Sequence, residues 1–345
     1  MSGESVLMSD QSESVPTSGN KHALSASVIV CVYNRPRQIV ACLESLLRQD
    51  YRPLEIIVVD DGSTDETPAV LADFQKKHQN GTIPIRVVRS TSNLGVCGAR
   101  NIGLKAASSD LVLYTDSDCE AHPSWVSAIV DALSTHEFAG AAGRVIDHPP
   151  RNWAEWAASG NTSLRNHKLQ GRSLVGCNMA FIRGLLVRYA FDELVKYGAD
   201  EDDLARRMAR DGHRLAFVEQ AIVYHHHPMT IRSYLRHAWR QGQGSAWYWW
   251  KHRIFVGRDL LFLFLALTTL PLVLIDVRLL AIPVACFALH VAAHAFNERV
   301  FKGKSWLRTF YVLPLVVTHS IVKLASVIWW WISNLPLRNR KNTKK

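Results

Sequence analysis

Asp116 and Asp118 close the apolar run Leu111-Val112-Leu113-Tyr114-Thr115, with one serine between them. In an extended chain residues two apart point the same way, so the two carboxylates converge on one point. Like charges so placed repel unless a cation lies between them. Hard oxygen donors suit Mg2+ or Mn2+, ions that keep open positions for phosphate oxygens. Two further acidic sets stand out: Asp60 and Asp61 after the run Leu54 to Val59, and Asp200, Glu201, Asp202 and Asp203 at the head of DEDDLARRMARDGHR. A carboxylate set across a bound substrate from a cation site can take the proton of an attacking hydroxyl. An isolated DxD is equally a solvated turn, and acids at the start of a helix equally complement its dipole. The elements that carry them decide.

Those elements alternate. SVIVCVY, from Ser27, reads as a buried strand, and Pro36 to Arg48 as a helix with Ile39, Leu43, Leu46 and Leu47 at helical spacing and proline in its first turn. LEIIVVD is a second strand, DDGSTD a loop and TPAVLADFQKKH a helix. IPIRVV is a third strand, Val96 to Ala107 a helix of small residues and DLVLYTD a fourth strand. This succession predicts an α/β fold, a mostly parallel sheet with helices on both faces, whose ligands bind beyond the C-terminal strand ends. Val32, Tyr33 and Asn34 lie at the first such end, Asp60 and Asp61 at the second, and Asp116 and Asp118 at the fourth. GxGxxG is missing after the first strand, which argues against a dinucleotide enzyme.

The chain has 345 residues, 48% of them hydrophobic, and a formal charge of +10 that calls for an anionic partner. Basic residues thicken toward the C-terminal half among tryptophans and apolar runs, which favours lipid over nucleic acid, and no nucleic-acid motif is present. The six cysteines show neither CxxC nor paired zinc spacing. They read as reduced and structural, placing the soluble part in a cytoplasm. Residues 1–24 are rich in serine and glutamate, read as a mobile tail and offer no signal peptide.

The motifs SVIVCVYNRPRQI, EIIVVDDGSTD, NLGVCGARNIGL, LYTDSD, GCNMAFIR and GADEDDLARRM, in that order, resemble the family 2 glycosyltransferases of the GT-A fold over about 27–244. The resemblance implies that Asp60 and Asp61 contact the nucleotide base or ribose, with Val32, Tyr33 and Asn34 alongside. Arg100 then partners the nucleotide, and Asp116 and Asp118 hold the metal on the sugar diphosphate. It places Gly176 and Asn178 near the sugar and gives His225 a place in the metal site. The family's Glu-Asp-x-Asp-Leu segment, anchored on Asp203 and Leu204, puts Asp200 and Glu201 in the first two places. The base is then Glu201, a Glu where the family has Asp, and Asp202 is the rival if the alignment slips by one. In IVYHHHP, His225 and His227 share a side that His226 cannot join.

From Tyr234 the composition turns basic and aromatic through Arg258, as at a membrane interface. Leu260 to Ile275 and Leu279 to Phe296 are apolar runs separated by Asp276-Val277-Arg278. The first spans ~24 Å as helix against a ~30 Å hydrocarbon core, so the pair reads as a tight hairpin bent at Pro271 and Pro283. Phe310 to Ile332 is long enough to cross, yet Thr318, His319, Ser320, Lys323 and Ser326 lie near one of its faces. Two spanning helices and one interfacial helix would keep the basic tail RNRKNTKK inside. The domains expected are therefore a tail over 1–24, a GT-A domain over 25–230, interfacial helices over 231–258, membrane helices over 259–335 and a basic tail over 336–345. The function expected is an inverting, membrane-associated transfer of sugar from a nucleotide-diphosphate sugar to a lipid-linked or cell-envelope glycan. The alternative is a non-catalytic nucleotide- or partner-binding membrane protein. Processive polymerisation is disfavoured, because RQGQGSAW stands where QxxRW would be.

Overall fold

The computed structural model describes residues 24–159, 174–195, 197–226, 228–254, 257 and 260–334. The tails at 1–23 and 335–345, together with His227 and Arg258, lie outside the described residues.

The chain runs β1 (Ala26–Val32), α1 (Gln38–Leu47), β2 (Leu54–Asp60), α2 (Thr67–Lys77), β3 (Ile85–Arg89), α3 (Gly95–Ala106) and β4 (Leu111–Asp116). There follow β5 (Cys119–Ala121), α4 (Trp125–Leu133), β6 (Gly140–Asp147), α5 (Trp153–Ala158), β7 (Met179–Ile182) and α6 (Arg183–Tyr189). Then come α7 (Asp200–Arg210), β8 (Leu215–His225), α8 (Ile231–His252), α9 (Leu261–Thr269), α10 (Ala281–Phe296) and α11 (Trp306–Ser333). The sheet order is β3-β2-β1-β4-β7-β6-β8-β5. β1, β2, β3 and β4 are parallel, with Val32 level with Asp60 and Cys31 with Asp116. That register sets three polar strand ends side by side. β7 runs antiparallel between β4 and β6, and the short β5 runs antiparallel on β8. The expected mostly parallel sheet thus carries two antiparallel strands in its second half.

Alternation along β1 and β2 splits the core between the two faces of the sheet. Val28, Val30, Ile56 and Val58 meet Ile39, Leu43 and Leu46 of α1 and Trp125 and Ile129 of α4. Ile29, Ile57 and Val59 meet Leu104 of α3, Leu204 and Met208 of α7 and Trp247 of α8. Each such side chain stabilises the fold by roughly 1.5–3 kcal/mol on burial.

The segment expected as interfacial helices is one helix, α8, started by a capping box at Thr230 and Ser233. One side of it is buried. Gly242 brings its backbone against α11, where a Cβ would sit 2.4 Å from the Lys323 carbonyl oxygen. Gly244 does the same against the Tyr197 carbonyl oxygen at 2.3 Å. The polar face of α11 serves this contact: the Ser326 hydroxyl donates to the Trp239 carbonyl at 2.6 Å, and His319 packs on Tyr234. RQGQGSAW is therefore a packing motif between helices.

Among the described residues two helical stretches are long and apolar enough to cross a membrane, Val277–Val300 and Trp306–Ser333, and Leu261–Leu274 is shorter. The first two runs, as α9 and α10, lie against each other as the expected hairpin does, and α10 also touches α11. Pro283 falls in the first turn of α10, where its missing N–H breaks no bond, so the second run is not cut there.

Candidate active site

The loops beyond β1 and β2 are stitched to each other. The Asp61 N–H donates to the Val32 carbonyl at 2.9 Å. The Asn34 N–H donates to Ser63 Oγ at 3.0 Å, and Asn34 Oδ1 accepts from the Thr64 N–H at 2.9 Å. Asp60 Oδ1 accepts from the Ser63 N–H at 2.9 Å, with Arg89 Nε 3.3 Å from Oδ2. Asp61 accepts from the N–H groups of Leu94 and Gly95 at 2.8 and 3.0 Å, fastening the start of α3. Burial still raises the Asp61 carboxyl above its ordinary value against those two donors. Gly62 has φ +73°, and a Cβ there would stand 2.7 Å from the Ser92 carbonyl carbon, so only glycine closes this corner. Val32 is buried, whereas Tyr33 is 42% exposed.

Asp116, Asp118 and His225 converge: one ligand atom from each lies within 4.8 Å of the others. His225 arrives because β8 pairs with β5 so that it faces Cys119, the residue after Asp118. Its Nε2 is 3.4 Å from Asp118 Oδ1, and Arg35 makes an ion pair with Asp118 Oδ2. Burial on its own would raise the Asp118 carboxyl, but the His225 hydrogen bond and the Arg35 charge outweigh it and hold it well below the ordinary range. Burial likewise disfavours the His225 cation, and Cys177 and Asp118 outweigh it, so its pKa stands well above the ordinary value. Two carboxylates and a neutral imidazole at this spacing fit a hard divalent cation, which would take over the positive charge that Arg35 and a protonated His225 otherwise bring to Asp118. His226 turns to the other side, as alternation requires, with Nε2 2.8 Å from Glu120 Oε1 and its ring stacked on His148.

Arg100 joins the DxD to the acidic helix. The buried guanidinium pairs with Asp200, donates to the Gly176 carbonyl at 2.9 Å and lies 3.6 Å from Asp116 Oδ1. A Cβ on Gly176 would come within 2.9 Å of Arg100 Nη2, which explains the glycine. Burial pushes the Asp200 carboxyl up to about 7, with Arg100 pulling it down and Glu201 adding to the rise. Asp200 and Glu201 are both buried, and Asp202 is half-buried on the next flank of the helix. Asp203 faces away from the cleft and receives Arg207, Lys251 and His252 at 2.8 to 2.9 Å. Asn178, expected beside the sugar, is fully buried. Its Oδ1 accepts from Trp125 Nε1 at 2.8 Å, and its Nδ2 donates to the carbonyls of Arg144 and Ala221. Its side chain serves the frame, and any contact with a ligand is left to its neighbours. Sequence reasoning missed Arg35, although a basic residue just past a strand end in NRPR was the available signal.

The model of glycosyl transferase family 2 matches residues 27–189. An uncharacterized glycosyltransferase of Haemophilus influenzae is 36% identical over 121 residues, 35% of this chain and 36% of the relative, so the match spans little more than a third of that relative's length. Glycosyltransferase AglE of Haloferax volcanii is 26% identical over 242 residues, 67% of this chain and 76% of the relative. Among solved structures, the mannosyltransferase PcManGT from Pyrobaculum calidifontis, in complex with GDP-Man and Mn2+, superposes with a TM-score of 0.59 at 21% identity, covering 88% of both chains. That likeness is one of fold. Through residues 27–189 the chain is thus similar to the family 2 glycosyltransferases, with a GT-A-like fold and, among the described residues, two long apolar C-terminal helices.

Proposed function

We propose that the protein is a membrane-attached inverting glycosyltransferase that moves a sugar from a nucleotide-diphosphate sugar to a lipid-linked or cell-envelope glycan acceptor. The observation that carries this reading is the convergence of Asp116, Asp118 and His225 on one point, joined through Arg100 to Asp200 on the acidic helix. The nucleotide would lie over the strand-end loops, with Tyr33 offering a ring to the base and Asn34, Asp60 and Asp61 shaping the floor. Asp116, Asp118 and His225 would hold Mg2+ or Mn2+, which supplies positive charge to the departing diphosphate. The solved neighbour with GDP-Man and Mn2+ supports that cation without choosing between the two. Glu201 takes the proton of the acceptor hydroxyl, Asp200 is held beside it by Arg100, and Asp202 is the rival base. With Glu201 as base and the acceptor hydroxyl as the attacking group, a single displacement would invert the sugar.

The acceptor's lipid nature is supported by the C-terminal helices. An apolar cavity of about 530 Å3 opens among Leu263, Leu267, Phe287, Leu324 and Ile328, between α9, α10 and α11. Exposed apolar residues such as Val284 (57%), Leu289 (52%) and Phe310 (74%) favour lipid as their surroundings. The free thiols favour a cytoplasmic catalytic domain. Purified protein incubated with a panel of nucleotide sugars, Mn2+ and a lipid extract tests the proposal. Transfer that is lost in Asp118→Asn and in Glu201→Gln supports it. Tight nucleotide binding with neither transfer nor hydrolysis overturns it and leaves the non-catalytic binder.

A further inference from the structure

A second set of donors stands behind the DxD. Cys119 directly follows Asp118 and sits opposite His225 in the antiparallel ladder. Cys177 comes from the turn before β7. One ligand atom each of Cys119, Cys177 and His225 lie within 4.8 Å of one another. Cys177 Sγ is 3.9 Å from His225 Nδ1, while Nε2 of the same ring is 3.4 Å from Asp118 Oδ1. Both cysteines are free and buried. A buried thiol is often no more than a small apolar filler, but here two of them meet an imidazole nitrogen. Two sulfurs and one nitrogen make a soft set, suited to tetrahedral Zn2+ and mismatched to the hard Mg2+ or Mn2+ of the neighbouring carboxylates. Ligands at ~2.3 Å from a tetrahedral ion stand ~3.8 Å apart, a spacing these side chains reach with small adjustments.

We propose that Cys119, Cys177 and His225 form a binding site for a thiophilic divalent cation of the Zn2+ class, set back to back with the Asp116–Asp118 site across the His225 ring. The two sites share a ring with one lone pair when neutral. If Nδ1 is given to the soft cation, the proton sits on Nε2 and points at Asp118, which withdraws the imidazole from the hard site. The two cations therefore oppose each other. This opposition rests on the proposed metal role of Asp116, Asp118 and His225; the soft site itself does not.

Full-length protein in detergent, stripped with chelator and titrated with Cd2+ and Co2+, tests the site without any transfer assay. Wild type should bind one equivalent of Cd2+ with a sulfur-to-metal charge-transfer band in the ultraviolet, and Co2+ with the visible bands of tetrahedral thiolate ligation. Both signals should vanish in Cys119→Ser and Cys177→Ser and persist in Asp116→Asn, so failure of the hard site and failure of this one are distinguishable. Mn2+ affinity measured by electron paramagnetic resonance should fall about tenfold when Cd2+ is bound. Should the serine variants not fold, protection of wild-type Cys119 and Cys177 from iodoacetamide by Zn2+ gives the same answer. Cd2+ binding without the sulfur band, an equal band in both serine variants, a Cys119–Cys177 disulfide that binds no metal, or labelling indifferent to Zn2+ overturns the site. An unchanged Mn2+ affinity overturns the opposition.

Discussion

Arg35 and His225 both press on Asp118 from the cleft, so a divalent cation entering there must displace the guanidinium. Arg35→Met should therefore bind Mn2+ more tightly in the absence of nucleotide, by about tenfold or ~1.4 kcal/mol, as titration calorimetry would show. Equal or weaker binding would mean that Arg35 does not compete. Asp200 sets a pH dependence. Its folded value of about 7 lies above the ordinary 3.8, so the folded chain holds this proton more firmly than the unfolded one. The resulting stabilisation is complete below about 4 and fades as pH climbs to about 7. Activity should run the other way, with an acid limb in kcat/KM centred near 7 that moves in Asp200→Asn; a profile flat from pH 5 to 9 in wild type would refute the assignment. Strand alternation alone aims Asp116 and Asp118 at one point, whereas His225 was expected there only through the resemblance, and the pairing of β8 with β5 brings it in. The Arg35 contact and the inward turn of Asn178 were not legible in the sequence, since both depend on how loops far apart in sequence pack.

The first four strands and the helices between them followed from period and punctuation, within a residue or two at their ends. The antiparallel β5 and β7 did not: three or four residues carry no period, and their direction is set by the partners they find. The packing of α8 was not legible for a related reason. Arginine and tryptophan together suit a membrane interface, but they equally suit a helix wedged between a domain and its neighbours, and the glycines decide. Gly242→Val would force a side chain into the Lys323 carbonyl and Ser326, parting α8 from α11. We expect a loss of about 1–3 kcal/mol, read as a lowered melting temperature in detergent, whereas Gly212→Ala or Gly303→Ala would act only through their own positive φ. An unchanged melting temperature for Gly242→Val would show that the two helices do not pack closely.

At the scale of the whole molecule, a soluble fold and an apolar bundle share one chain, and α8 ties them together. Membranes from cells making the protein should retain it through alkaline carbonate washing, and Val284→Arg with Leu289→Arg should release it; extraction of the unaltered protein by carbonate would argue against spanning helices. The acceptor's lipid would then bring its hydroxyl to a fixed height. Asp203 clasps Lys251 and His252 at the end of α8, and three residues earlier on the same helix stands Asp200, ~4.5 Å along the axis. Under the proposed reading, a tilt of the anchor would reach the proton-accepting end of the cleft through a lever less than one turn long, and bilayer thickness would become a variable that sets turnover.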